Sequence, residues 1–211
     1  MLIETVRIRA GRAPLWDHHA GRFLASARAL GLADPPLDPP TWPGDGALRL
    51  TWDGHALRAD PRPIGGPEPV RLIVAAAVHE RYPHKTTRRQ AFDTALAEAC
   101  AAGADDAVLL TPDGFVAETS IRGIYWWEGV TLAAPPEALG ILPSVARRRI
   151  AEIAGPITER RAVPAHLAAH SPFVANAARG IAPVASLDGI PLRADESAMR
   201  RTAALAAAFW P

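Results

Sequence analysis

No stretch of this sequence runs far before a proline or a glycine interrupts it. The 211 residues hold 21 prolines and 16 glycines, spread along the chain and gathered into no low-complexity block. Proline ends helices and glycine favours turns, so the chain must fold as many short elements with short connections. Between the interruptions the periodicity changes from element to element. Leu2 to Arg9 alternates like a strand, with Ile3, Val6 and Ile8 directed to a core. His18 to Leu30 has a helical pattern, with Asp17 as N-cap, Gly31 as stop, and Phe23, Leu24, Ala27 and Leu30 on its apolar face. Ala47 to Trp52 and His55 to Asp60 flank Asp53-Gly54, a strong hairpin signal. Val70 to Val78 reads as a buried strand.

The second half repeats the mixture. Helices are expected over Gln90 to Ala102, Val145 to Ala154, Ala165 to Ala169 and Ser197 to Phe209. Strands are expected over Asp106 to Leu110, Phe115 to Glu118, Gly123 to Trp127, Val130 to Ala133, Ile157 to Val163, Phe173 to Ala175 and Ala182 to Leu187. Strands with interspersed helices define an α+β chain. His79 to His84 contains Pro83 and reads as a linker. It suggests a first domain over 1–80, a linker over 81–84 and a second domain over 85–211. A crevice between domains is a common place for a small-molecule site.

Charge and composition exclude several partners. The formal net charge is +1 and the pI about 8.1, so no global field attracts nucleic acid or an acidic membrane. The runs Arg147-Arg148-Arg149, Arg160-Arg161 and Arg200-Arg201 read as solvated faces balanced by Glu152, Glu159 and Glu196. No apolar run reaches a membrane span, and the N-terminus lacks the pattern of a secretory signal. Cys100 is the only cysteine, so no internal disulfide forms, and a reducing cytoplasmic setting is expected. It sits in an Ala-rich helix and reads as a small buried residue. His18, His19, His84, His166 and His170 make no metal pattern and read as surface or helix-start residues, so no metal is expected.

One residue stands apart from this composition. Of 23 basic residues, Lys85 is the single lysine. Arginine replaces lysine as a surface cation but not as a nucleophile, because guanidinium stays protonated while an ε-amine can be tuned to shed its proton. Lys85 is therefore a candidate covalent amine; the alternative is a remnant of an arginine-biased composition. It falls just past the linker, and Arg88 and Arg89 beside it would help to depress its proton affinity.

Seven stretches in order carry a resemblance. They are Ile3-Glu4-Thr5-Val6-Arg7, His19-Ala20-Gly21-Arg22-Phe23, and Lys85 with its following helix. Next come residues 103–110 (GADDAVLL), 114–120 (GFVAETS), 140–147 (GILPSVAR) and 176–184 (NAARGIAPV). Together they resemble the class IV pyridoxal-phosphate enzymes: branched-chain and D-amino-acid aminotransferases and aminodeoxychorismate lyases. The resemblance implies a small N-terminal α/β domain, a larger barrel-like C-terminal domain, and pyridoxal 5'-phosphate between them. It makes Lys85 the Schiff-base lysine and Glu118 the carboxylate paired with the pyridine nitrogen. Arg22 becomes the phosphate arginine. Val145 and Ala146 offer backbone amides to the phosphate, Asn176 and Ala177 complete the phosphate cup, and Leu142 packs on the ring. Relatives are commonly homodimers acting on a small amine.

Several positions depart from the family pattern. Relatives usually begin about thirty residues earlier, whereas this chain starts almost on the Glu-Thr pair, which predicts a shortened small domain. Gly123 stands where Asn is common, Ala134 where Thr precedes paired prolines, and Ser144 where Gly follows Leu-Pro. The turn Ala175-Asn176-Ala177 with Pro183-Val184 looks more like the lyases than the Gly-Thr turn of the transaminases. The resemblance therefore implies a 4-amino-4-deoxychorismate lyase, releasing 4-aminobenzoate and pyruvate in folate synthesis. The alternative is an amino-acid aminotransferase.

Overall fold

A computed structural model describes residues 1–65, 68–193 and 195–211. The chain runs β1 (Leu2–Ile8), α1 (Trp16–Ala29), β2 (Gly46–Trp52), β3 (Leu57–Arg62), β4 (Val70–Val78), α2 (Gln90–Ala101), β5 (Asp106–Leu110), β6 (Val116–Thr119), β7 (Gly123–Glu128), β8 (Thr131–Ala134), α3 (Val145–Ala154), β9 (Thr158–Glu159), α4 (Pro164–Ala169), β10 (Phe173–Asn176), β11 (Gly180–Leu187), β12 (Ile190–Pro191) and α5 (Glu196–Ala208). The architecture is α+β.

The first three strands form an antiparallel sheet in the order β1-β2-β3. The Asp53 carboxylate closes the β2–β3 hairpin by accepting the amides of His55 and Ala56, both at 2.9 Å. One face of this sheet packs Val6, Ile8, Leu48 and Leu50 against Trp16 of α1, and Phe23 and Ala27 of that helix meet Leu2 and Trp52. Leu30 lies beyond the helix and is exposed, unlike the expectation that it shared the apolar face. Asp17 falls inside the first turn, and the N-cap is Leu15. There Asp17 still favours the helix through its charge near the positive end of the dipole.

The second sheet has the order β6-β5-β4-β11-β10-β7-β8-β9, with β12 on β11. It mixes parallel pairs (β4 with β5 and β11, β8 with β9) with antiparallel ones. Its two ends meet: the Val116 amide of β6 donates to the Ala162 carbonyl just past β9, at 2.8 Å. This contact curls the sheet into a barrel. Only Thr158 and Glu159 of the strand expected over Ile157 to Val163 pair regularly.

Alternation along β7 shows how the barrel is filled. Ile124 and Trp126 point inward with Val108, Val116, Val174 and Leu187. Tyr125 and Trp127 point outward to Phe173 and the faces of α3 and α5. Neither tryptophan lines the main cavity, whereas Tyr125 does. Outside the barrel, α2 covers β4 and β5 through Phe92, Ala95, Ala99 and Leu109. Cys100 lies on the other side of α2 and is exposed, which corrects its reading as a buried residue. By pairing, β4 belongs to the barrel, so the two sheets part between Arg62 and Val70. Among the described residues, no helix is long and apolar enough to cross a membrane.

Candidate active site

Lys85 sits in an irregular segment between β4 and α2 that is held from both sides. The Ile3 amide donates to the Lys85 carbonyl at 2.9 Å, and the Thr87 amide donates to Met1 at 2.9 Å. The Tyr82 hydroxyl accepts the Thr86 amide at 2.7 Å and donates to the Thr86 carbonyl. The segment is thus stitched to β1 without being a strand. A cavity of about 660 Å³ opens in front of it, lined by Lys85, Arg22, Glu118, Leu142, Val145, Asn176 and Ala177 among others. Ala146 is absent from that lining; its side chain is fully buried in the core beneath α3.

Burial lowers the proton affinity of Lys85, and Arg22 and then Arg89 add to the effect, leaving it at about 8 against opposition from Glu4 and Glu118. Arg89 thus plays the part expected of it, while Arg88 is exposed. A neutral amine is accessible near physiological pH. Condensation of apoprotein with a pyridoxal-type aldehyde should accordingly speed up as pH rises through about 8. Arg22→Gln should move that midpoint upward, because it removes a cation and leaves Glu4 unopposed. A stopped-flow pH series on the two proteins checks both statements.

Arg22 is not free. Its Nε donates to Glu4 Oε1 at 2.7 Å, its Nη2 to Glu4 Oε2 at 2.6 Å, and its Nη1 to the Pro143 carbonyl at 3.0 Å. Glu4 Oε2 also meets His19 Nδ1 at 2.8 Å. Burial opposes ionisation of Glu4, but Arg22 and the hydrogen bonds from His19 and Arg22 outweigh it and hold the carboxyl well below the usual carboxylate range. Burial pushes His19 below its ordinary value, so Nδ1–H donates to Glu4. His19 Nε2 is then buried without a partner among the described residues. Read as a surface or helix-start residue, His19 does lie near the start of α1, but it is buried there and not on the surface. The triad aims the guanidinium while leaving one N–H on each terminal nitrogen for an anion.

Glu118, on β6, has its own clamp. Its Oε1 accepts His79 Nε2 at 3.0 Å and the Leu142 amide at 3.1 Å. Both partners take the same oxygen, so Oε2 is left for whatever occupies the cavity. His79 and Glu118 are buried, and His79 meets Phe92 edge-on. His79 was read only as the start of a linker. The signal in the sequence is weak, since 39 residues separate it from Glu118.

Another part of the cavity wall is formed by the start of α3 and the turn after β10. Ser144 caps α3 by accepting the Arg147 amide at 3.3 Å, so the amides of Val145 and Ala146 open the helix without intrahelical acceptors. The Asn176 side chain is committed elsewhere. Its Oδ1 accepts the amides of Ala178 and Arg179 at 3.1 and 2.7 Å, and its Nδ2 donates to the Ile121 carbonyl at 3.2 Å. It shapes the turn. Asp106, fully buried, accepts from Arg122 at 2.6 Å and from Thr119 and Ser120, which fixes the strand end beside Glu118. No group of three metal-ligating side chains occurs among the described residues.

The family model for class IV amino-transferases matches residues 53–187. The chain belongs to that family, and it is an enzyme of that general type. A Legionella pneumophila protein provisionally named a 4-amino-4-deoxychorismate lyase is 23% identical; the match covers 97% of this chain and 89% of that one, with a TM-score of 0.82. A Mesorhizobium loti protein provisionally named an amino-acid aminotransferase is 26% identical, with coverage of 88% and 98% and a TM-score of 0.79. An aminotransferase from Brucella abortus, solved with pyridoxal phosphate, is 20% identical, with coverage of 97% and 86% and a TM-score of 0.78. No curated protein matches the sequence significantly.

Proposed function

We propose that this chain is a pyridoxal-phosphate-dependent enzyme of a small primary amine, and that it transfers the amino group to a 2-oxo acid. The observation that carries the reading is one cavity holding a lysine poised near neutrality, a carboxylate with one oxygen unspent, and a clamped arginine. These three suit an aldehyde, a ring nitrogen and a phosphate on a single small molecule, and the donor set fits that cofactor. When bound, pyridoxal phosphate supplies an aldehyde that takes up amines and a ring that withdraws electrons from the adjoining carbon.

In this reading the residues divide the work. Lys85 would hold the cofactor through its neutral amine and would carry a proton to and from the substrate carbon. Glu118 would keep a proton at the ring nitrogen through Oε2. Arg22, the amides of Val145 and Ala146 and the backbone at Asn176 and Ala177 would hold the phosphate, and Leu142 would lie against the ring. The three-stranded sheet and α1 deliver Arg22, and the barrel sheet carries Glu118.

A second reading is favoured by the turn Ala175-Asn176-Ala177 followed by Pro183-Val184, and by the likeness to the Legionella protein. It is 4-amino-4-deoxychorismate lyase activity, serving folate synthesis. Purified protein with amino-acid donors should turn over only when a 2-oxo acid is present. Stoichiometric pyruvate from 4-amino-4-deoxychorismate without any acceptor would replace the transaminase by the lyase.

His79 supplies a further expected result. His79→Leu removes one hydrogen bond to a charged oxygen, about 1.5–3 kcal/mol. Pyridoxal phosphate affinity should fall by roughly tenfold or more, with a changed absorption band, while Lys85 stays trappable by borohydride. Absorbance titration reads the first two and peptide mapping the third.

A further inference from the structure

We propose that the Tyr125 hydroxyl, which lines the cavity together with Ser144, is a phosphate ligand at the anion end of the cavity. The inference rests on the pyridoxal-phosphate reading above and adds a residue to it.

Gly123 and Tyr125 lie two apart on β7 and share a face. A Cβ on Gly123 would stand 2.8 Å from the Tyr125 hydroxyl oxygen and 3.2 Å from two ring carbons. The ring therefore lies back along the strand, in the space any side chain at 123 would occupy. It is held there by stacking on Phe173, with centroids 5.2 Å apart and planes 16° from parallel. Tyr125 is 1% exposed, so the ring is enclosed where it lies.

This position is between the two elements that form the anion end. The ring shares a core cluster with Val145, the first residue of α3, and Tyr125 lines the cavity together with Ser144, the residue that caps that helix. Gly123 is the β-sheet partner of Ala175, which leads into the turn at Asn176 and Ala177. Tyr125, Ser144, Ala175, Asn176 and Ala177 all line the cavity.

Chemistry supports the same assignment. Burial pushes the Tyr125 phenol up to about 12, so it is a neutral donor across the working range. Ala175 and Ala177 carry no polar side-chain atom, and the Asn176 side chain holds its turn. The hydroxyls of Tyr125 and Ser144 therefore join Arg22, Arg147 and Arg179 among the polar side chains that line the cavity. All three departures from the family pattern gather here: Gly123 beneath the ring, Ser144 on the cavity wall, and Ala134 in the same core cluster as Tyr125.

The test compares pyridoxal phosphate with pyridoxal, which lacks the phosphate, by absorbance titration of the apoprotein. Tyr125→Phe keeps the stacked ring and removes one donor to an anion. It should weaken pyridoxal phosphate by about tenfold or more and leave pyridoxal within about twofold. Gly123→Ala should push the ring aside and reproduce the selective loss. A Tyr125→Phe protein with unchanged pyridoxal phosphate affinity, or with equal losses for both ligands, overturns the assignment. If the wild type binds neither ligand, the cofactor reading itself fails, and that outcome is distinct because it precedes any variant.

Discussion

Lys85→Arg should abolish turnover, with a loss on the order of 10⁴-fold or more in kcat. The structure brings the amine's proton affinity to about 8, so a usable fraction is neutral at physiological pH. Guanidinium stays charged under the same conditions and cannot attack an aldehyde or accept a proton from carbon. The exchange preserves the positive charge and most of the length. It also leaves the backbone bonds from Ile3 and to Met1 that shape the segment, so the variant should fold with a melting temperature near the wild type. Borohydride should trap an adduct on Lys85 in the wild type and nothing in the variant. Pyridoxal phosphate should still bind the variant reversibly, held by Arg22 and the first amides of α3. A variant that keeps even a tenth of the wild-type rate would remove Lys85 from the chemistry.

Lys85 was readable because composition isolates it; the residues that make it reactive were not. Arg22 exerts more influence on it than either neighbouring arginine, and it comes from a helix 63 positions away through a fold that no local pattern encodes. His79 and His19 failed for the same reason. Each sits in a stretch that looks unremarkable alone, and each gains its meaning from a carboxylate far along the chain. A signal did exist for the triad. Glu4 is an acid among the apolar residues of β1, and His19 and Arg22 are three apart on α1, hence on one face. A charged residue in a buried strand requires a partner, and that helix face offered two.

Secondary structure was more legible than sheet membership. Val70–Val78, Asp106–Leu110 and Val145–Ala154 occupy the spans their periodicity indicates. Periodicity says that Val70–Val78 is buried; it cannot say against which neighbours. Its parallel pairing with β5 spans 34 positions (Leu72 with Asp106) and that with β11 spans 114 (Val70 with Val184), and no local pattern encodes either. The strand expected over Ile157 to Val163 illustrates the converse. Its residues have strand character, yet only two find a ladder partner because β8 ends at Ala134.

Glu4→Gln should produce the largest loss of stability, about 3–5 kcal/mol. Glu4 is 1% exposed and accepts two hydrogen bonds from Arg22 and one from His19. Glutamine keeps the shape but leaves a buried guanidinium opposed only by the Pro143 carbonyl, and its amide offers a donor where an acceptor is needed. In a chain of 211 residues the penalty corresponds to a melting temperature lower by roughly 6–20 °C. The pH dependence gives the loss a signature. Glu4's folded value lies below its unfolded one, so its stabilisation is complete above the unfolded value of about 4.3 and disappears as pH falls through the folded value. The gap between wild type and variant should therefore be widest near neutrality and shrink in acid below about pH 4. Glu4 also raises the proton affinity of Lys85, so the variant's aldehyde condensation should reach its midpoint at lower pH than the wild type's. Thermal melts across pH and the condensation series test the two consequences separately. A stability gap that does not change with pH would mean that Glu4 acts through packing and not through its charge on Arg22.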